Sequence, residues 1–261
     1  YEICACLVGS EMCIRDRGTR ISKSVGIPKS TLPIDDTDSI ISHSVGLFLK
    51  NGIDVVVVVG YMEDKIRDAL RGYPVKYYCN PFFAVTNSAA SLWFAKDELE
   101  GDVIIGNADV YWEQPMLDLL LKCENDVVML ADESRAEVGD YFFEVKDGYL
   151  VDHGKELIRN KRNCEYVGLS KIGSASVGRF KEHLIDLVKT ERYDLWWENA
   201  LYEYRDQMPI HVVDVGELFW SEVDYFQDYE CILKYIRTHD SKCKLQLLSL
   251  KDIEKPLEKK G

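Results

Sequence analysis

Residues 55–59 are an unbroken run of valine closed by Gly60. A β-branched run without polar alternation suits a central parallel strand buried on both faces, and does not suit a strand with one wetted face. Helical and strand patterns alternate around it. Over 38–51, Ile40, Ile41, Val45, Phe48 and Leu49 recur at helical spacing, with Asp38 as a cap and Gly52 as a stop. A helix over 63–70, a strand over 75–79, a helix over 87–99, a strand over 103–105, a helix over 115–123 and a strand over 127–131 follow. This alternation predicts an α/β chain with a three-layer α/β/α, Rossmann-like, mixed but mainly parallel sheet. Its ligand site would lie beyond the carboxyl ends of the strands. After Asp140 the pattern changes: strands over 141–145 and 149–151 flank Lys146-Asp147-Gly148, a hairpin signal and the start of a small β-rich insertion. Helices over 176–190 and 195–206, strands over 210–213 and 220–223, and a helix over 225–238 complete the pattern.

Charge and cysteine content narrow the function. Lys and Arg number 32 against 45 Asp and Glu, a net charge of −13, so phosphate affinity must come from a local basic cluster, and general nucleic-acid binding is disfavoured. No stretch approaches the ~18 apolar residues of a membrane span, and the apolar run at 3–8 lacks the basic flank of a signal peptide. The expectation is a cytoplasmic protein without membrane insertion. The 8 cysteines show no C-x-x-C spacing and are read as reduced thiols.

Four constellations carry chemistry. Gly18-Thr19-Arg20, followed by Pro28-Lys29-Ser30-Thr31-Leu32, sets a small-residue turn beside two cations. Arg20 offers a bidentate fork and Lys29 a point charge, so the pair reads either as a phosphate cradle or as a solvated loop; it lacks the spacing of a Walker loop. Gly106-Asn107-Ala108-Asp109 puts a carboxylate at the rim of a buried strand, and Asp224, two residues after Glu222, is the second acid a Mg2+ site would need. Taken singly, each Asp also reads as a cap or turn residue. Asn80, Thr86, Asn87 and Ser88 open a helix and either read a nucleobase edge or cap that helix. Trp196, Trp197 and Glu198, with Trp112, Tyr141 and Phe142, form either an ammonium box or core packing. His43, His153, His183, His211 and His239 fit no nucleophile or metalloprotease pattern and are read as structural.

In this order the motifs resemble the nucleotidyltransferase superfamily, which joins a nucleoside triphosphate to a phosphorylated sugar or alcohol. The family's Gly-rich loop ends in G-T-R, its P-K-x-L segment is Pro28 to Leu32 here, its strand-closing Asp is Asp109, and its late acidic strand is Glu222-Val223-Asp224. Asn80-Pro81-Phe82, Thr86-Asn87-Ser88, Ser91-Leu92-Trp93 and Tyr166-Val167-Gly168-Leu169-Ser170 look like the branch of CTP:phosphocholine cytidylyltransferases.

The resemblance implies CTP and a small phosphorylated acceptor as partners, transfer of CMP with release of pyrophosphate, Mg2+ on Asp109 and Asp224, and catalytic roles for Lys29 and Arg20. It implies nucleotide contacts from Gly18, Thr19, Arg20, Asn80, Thr86, Asn87 and Ser88, and acceptor contacts from Lys155, Trp196, Glu198 and Trp112. Hexose 1-phosphate, inositol 1-phosphate and aminoethylphosphonate remain alternative acceptors, a weakly catalytic nucleotide-sensing module is the rival class, and a homodimer is an open option. Residues 18–240 are read as one domain, with a nucleotide-binding half 18–131 and an acceptor-binding half 132–240, followed by a tail 241–261. The family begins with an apolar strand running into Ala-Ala-Gly-x-Gly, which this chain lacks, so 1–17 is expected to be a non-native segment whose missing strand exposes a sheet edge.

Overall fold

In the computed structural model, which describes residues 3–8 and 26–239, the valine run is buried from end to end. It forms β2 (Asp54–Val59). In chain order the other elements are β1 (Ile3–Val8), α1 (Ile40–Lys50), α2 (Glu63–Ala69), β3 (Val75–Cys79), α3 (Ser88–Phe94), β4 (Asp102–Asn107), β5 (Val110–Tyr111), α4 (Gln114–Lys122) and β6 (Val127–Asp132). Then come β7 (Phe142–Lys146), β8 (Tyr149–Gly154), β9 (Cys164–Ile172), α5 (Ser174–Lys189), α6 (Asn199–Tyr202), β10 (His211–Asp214), β11 (Ser221–Glu222) and α7 (Phe226–Thr238).

The main sheet runs β3-β2-β1-β4-β9-β6-β10-β8-β7 and is mixed. β3, β2, β1 and β4 are mutually parallel, as are β6 and β10, whereas β9 runs antiparallel between β4 and β6. The fold is α/β, and its side chains divide by strand alternation. Ala5, Leu7, Val55 and Val57 join Phe48, Ile66 and Leu117 from α1, α2 and α4 on one face, while Cys6, Val56 and Val58 join Leu92, Phe180 and Leu184 from α3 and α5 on the other.

The expectation of a missing first strand is corrected. β1 lies between β2 and β4, with Cys6 opposite Val56 on one side and Ile105 on the other, and leaves neither neighbour as an edge. Ala5, Cys6 and Leu7 are fully buried, so this short apolar segment satisfies both faces of the sheet despite its atypical sequel. Residues 9–17, the Gly18-Thr19-Arg20 loop and the tail 241–261 lie outside the described residues.

Two further differences have local causes. The helix expected over 195–206 is only α6, with turns on either side of it, and the chain leading into it is tied to 87–89: Asn87 N donates to the Tyr193 carbonyl at 2.7 Å, and Ala89 N to that of Leu195 at 3.2 Å. β9, which sequence pattern does not single out, contains Gly168 at φ +90°, and a Cβ there would meet Asn107 Nδ2 at 3.0 Å and Val110 Cγ2 at 3.2 Å. Glycine is required where β9 crosses the end of β4.

Candidate active site

A two-stranded ribbon brings the distant acids together. β5 pairs antiparallel with β11, placing Glu222 opposite Val110, and Val223 N donates to the Asp109 carbonyl at 3.1 Å. Asp228, in the first turn of α7, accepts from the backbone of Asp224 at 3.0 Å and of Tyr225 at 2.7 Å, which fixes the chain on which Asp224 stands. Lys29 reaches this ribbon from the short 3-10 turn Lys29–Thr31, and its Nζ donates to Asp224 Oδ1 at 2.8 Å.

Lys29 and Asp109 are buried, at 8 % and 1 % exposure. Burial opposes the Lys29 charge, but Asp109, Asp224 and Glu222 outweigh it and raise the ammonium well above its ordinary range. Burial, with Asp224 and Asp109 beside it, holds the Glu222 carboxyl well above the usual carboxylate range. These acids therefore face one another around a single lysine, an excess of negative charge that suits a hard divalent cation with oxygen ligands. Among the described residues no three His, Cys, Asp or Glu side chains form a complete metal site, and Mg2+ needs only one or two carboxylates when substrate phosphates supply the rest.

The segment 80–91 sits at the end of β3 and works as a frame. Asn80 donates to Thr86 Oγ1 at 2.9 Å and Ser91 Oγ at 3.0 Å, and accepts from Phe82 N at 2.9 Å. Thr86 bonds back to the Phe82 carbonyl at 3.0 Å. Asn87 caps α3 and donates to the Asp194 carbonyl at 3.1 Å, while Ser88 Oγ accepts from Trp197 N at 3.0 Å. Asn80 thus holds the loop and Ser88 docks 194–197.

That docking presents Glu198. The residue is 7 % exposed, its Oε2 is buried with no hydrogen-bond partner, and burial pushes its pKa up to about 8. Burial first, then Glu198, raises the phenols of Tyr141, Tyr166 and Tyr202, which stand around the carboxyl. Tyr166 also responds to Glu222, so it lies between the aromatic cluster and the acid–lysine cluster. Trp196 meets Tyr141 edge-on at 5.8 Å, and Lys155 Nζ lies 5.5 Å over the Trp196 ring at the exposed rim.

Other members of the expected box are elsewhere. Trp112 is 1 % exposed on the opposite face of the sheet, packed on Phe48 at 5.1 Å, with its carbonyl bound by His43. Trp197 is wholly buried against Phe180, and Phe142 carries the Arg162 guanidinium at 3.9 Å. Bulk and apolar surface draw these rings into packing, which corrects Trp112 as an acceptor contact. Sequence reasoning missed Tyr202, although its i, i+4 spacing from Glu198 on a helix was the available signal. It also missed Arg135, buried over Trp220 at 4.0 Å and paired with Glu165 at 3.3 Å, which anchors the chain entering β11.

No protein-family model matches the chain. It is 22% identical over 223 residues to a CTP:phosphoglutamine cytidylyltransferase of Campylobacter jejuni, covering 73% of this chain and 85% of that one. It is 21% identical over 227 residues to a choline-phosphate cytidylyltransferase of Streptococcus pneumoniae, covering 85% and 96%. A solved CTP:phosphocholine cytidylyltransferase from Streptococcus pneumoniae superposes with a TM-score of 0.73 at 19% identity over 90% of this chain and 100% of that one, a likeness of fold. In sequence and in fold the neighbours of this chain are thus cytidylyltransferases and nucleotidyltransferases, the superfamily its lysine and acidic-strand motifs resemble.

Proposed function

We propose that the chain transfers CMP from CTP to a small phosphorylated alcohol such as phosphocholine, releasing pyrophosphate. The observation that carries the reading is the convergence of Lys29, Asp224 and Asp109 from three distant parts of the sequence at the ends of the strands. The cytidylyltransferase neighbours give it its nucleotide. An oxygen of the acceptor phosphate attacks the α-phosphorus of CTP, a new P–O bond forms as the bond to the β-phosphate oxygen breaks, and pyrophosphate leaves with the electron pair. The enzyme forms no covalent bond to either substrate.

The obstacle is bringing two anions together, since like charges ~4 Å apart repel by about 4 kcal/mol at an effective dielectric near 20. Lys29, kept charged by its acidic neighbours, opposes that repulsion and stabilises charge growing on the α-phosphoryl oxygens. Asp109 and Asp224 would hold Mg2+, which supplies further positive charge when bound. In this reading Gly18, Thr19 and Arg20 take the β- and γ-phosphates, residues 80–88 frame the nucleotide side, and Lys155 and Trp196 stand at the acceptor's entrance. Glu198 takes a cationic end of the acceptor, which favours an amino alcohol over a hexose 1-phosphate. The reading also takes in a Rossmann-like layering, a β7–β8 acceptor insertion and a cytoplasmic location; among the described residues no helix is long and apolar enough to cross a membrane.

The test is pyrophosphate release from CTP and Mg2+ with a panel of phosphorylated acceptors. Release that depends on an acceptor supports the reading. CTP binding without release for any acceptor would make the chain a nucleotide sensor.

A further inference from the structure

We infer that Glu198 and Tyr202 together read an N–H-bearing ammonium on the acceptor, so that phosphorylated amino alcohols retaining at least one N–H are preferred to their trimethylated counterpart. The inference rests on the CMP-transfer reading and narrows its acceptor.

Two atoms carry it. Glu198 Oε2 and Tyr202 Oη are both buried without a hydrogen-bond partner. Glu198 caps the short helix α6 and Tyr202 ends it; Tyr202 N donates to the Glu198 carbonyl at 2.9 Å, and the carboxyl acts electrostatically on the Tyr202 phenol. The neighbouring hydroxyls are already engaged: Tyr141 Oη is paired with His153 Nδ1 at 2.8 Å, and Tyr166 Oη with Ser170 Oγ at 2.8 Å. The nearby cations are also turned away. Arg205 donates to the carbonyls of Val151 at 3.1 Å and Tyr202 at 2.8 Å, and Lys155 lies over Trp196. A buried acceptor left unbonded is costly, so this pair calls for a donor from outside the protein.

The surrounding rings favour a donor over a bulky quaternary cation. A trimethylammonium binds through open aromatic faces. Here Tyr202 is stacked on His153 at 4.0 Å and lies near-parallel to Tyr141 at 6.0 Å, and Tyr166 is stacked on Phe143 at 5.5 Å. Tyr202 and Tyr166 thus each have a ring face taken by a neighbour, while Glu198 Oε2 and Tyr202 Oη remain unbonded. A trimethylammonium would meet both oxygens with methyl groups only. An ammonium with an N–H satisfies them and also favours the ionised form of a carboxyl that burial otherwise holds up to about 8.

The experiment is a methylation series on the full chain with CTP and Mg2+. The acceptors are phosphoethanolamine, its N-methyl and N,N-dimethyl forms, phosphocholine, and glycerol 3-phosphate, with kcat/KM read from pyrophosphate release. The expected result is a fall of about tenfold or more concentrated at the last methylation, where the final N–H is lost and the charge is kept, with glycerol 3-phosphate below the amines. In Glu198→Gln and in Tyr202→Phe that step shrinks; Tyr202→Phe removes only a hydroxyl and carries the readout if the Glu198 variant fails to fold. A flat series, phosphocholine as the best acceptor, or a wild-type step persisting in both variants overturns the inference and leaves CMP transfer standing. Absence of pyrophosphate with every acceptor overturns both.

Discussion

Lys29 Nζ donates to Asp224 Oδ1 at 2.8 Å across 195 positions of sequence, and this contact ties the P-K segment to the late acidic strand. Asp109 acts on the same ammonium, so one lysine serves both acids. A preorganised positive charge beside a phosphoryl group is worth about 3–4 kcal/mol of barrier. Lys29→Ala is expected to lower kcat for pyrophosphate release about a hundredfold or more, with a smaller change in KM for CTP. A rate within a fewfold of wild type would remove Lys29 from the chemistry.

Asp109 stands at the end of β4 with 1 % exposure, joined to β11 through its carbonyl. Asp109→Asn keeps the size of the side chain and removes one negative charge from the proposed cation site. The divalent concentration for half-maximal rate should rise about tenfold or more. Titration calorimetry of Mg2+ into the CTP-bound variant checks the same point without turnover. Equal affinity in wild type and variant would place the ion elsewhere.

The parts of this fold that were legible in the sequence are those where a local signal and a tertiary role coincide. Five valines in a row can do little other than fill a central strand, and an Asp just past the carboxyl end of a buried strand falls on the side of the sheet where α/β folds bind ligands. β9 was hidden because its burial comes from both neighbours in the sheet while its own residues include Glu165, Gly168 and Lys171. Trp112 and Trp196 have the same local character, and only the sheet face on which each lands separates a core ring from one at the site's rim. The frame role of Asn87 and Ser88 was equally invisible, since their partners lie more than a hundred positions away.

A half-buried histidine and a buried glutamate give stability opposing pH slopes. Burial, helped by Arg205, lowers the His153 pKa from 6.5 to about 4. Between those values the unfolded chain binds the proton more readily, so stability falls as pH drops from about 6.5 towards 4. Burial raises Glu198 from 4.5 to about 8, so its contribution is fullest below 4.5 and is lost as pH rises towards 8. Urea midpoints from pH 4 to 9 should show His153→Phe losing part of the acid slope and Glu198→Gln losing part of the neutral-to-alkaline slope. Parallel curves for wild type and both variants would refute the assignment.

Ser88 offers a way to separate framing from nucleotide contact. Its Oγ accepts from Trp197 N at 3.0 Å in a buried setting, next to Glu198, the carboxylate proposed to meet the acceptor. Ser88→Ala leaves that N–H unbonded, at a cost of about 1–3 kcal/mol that the 194–198 segment can relieve by moving. If Ser88 is a frame residue, KM for the acceptor rises severalfold while KM for CTP stays within about twofold, and the melting temperature falls by a few degrees. If it instead touches the base, KM for CTP rises and the acceptor constant holds. Steady-state kinetics with each substrate varied in turn decides between them, and the first result is expected, because the hydroxyl already has a backbone partner at Trp197, beside the proposed acceptor carboxylate.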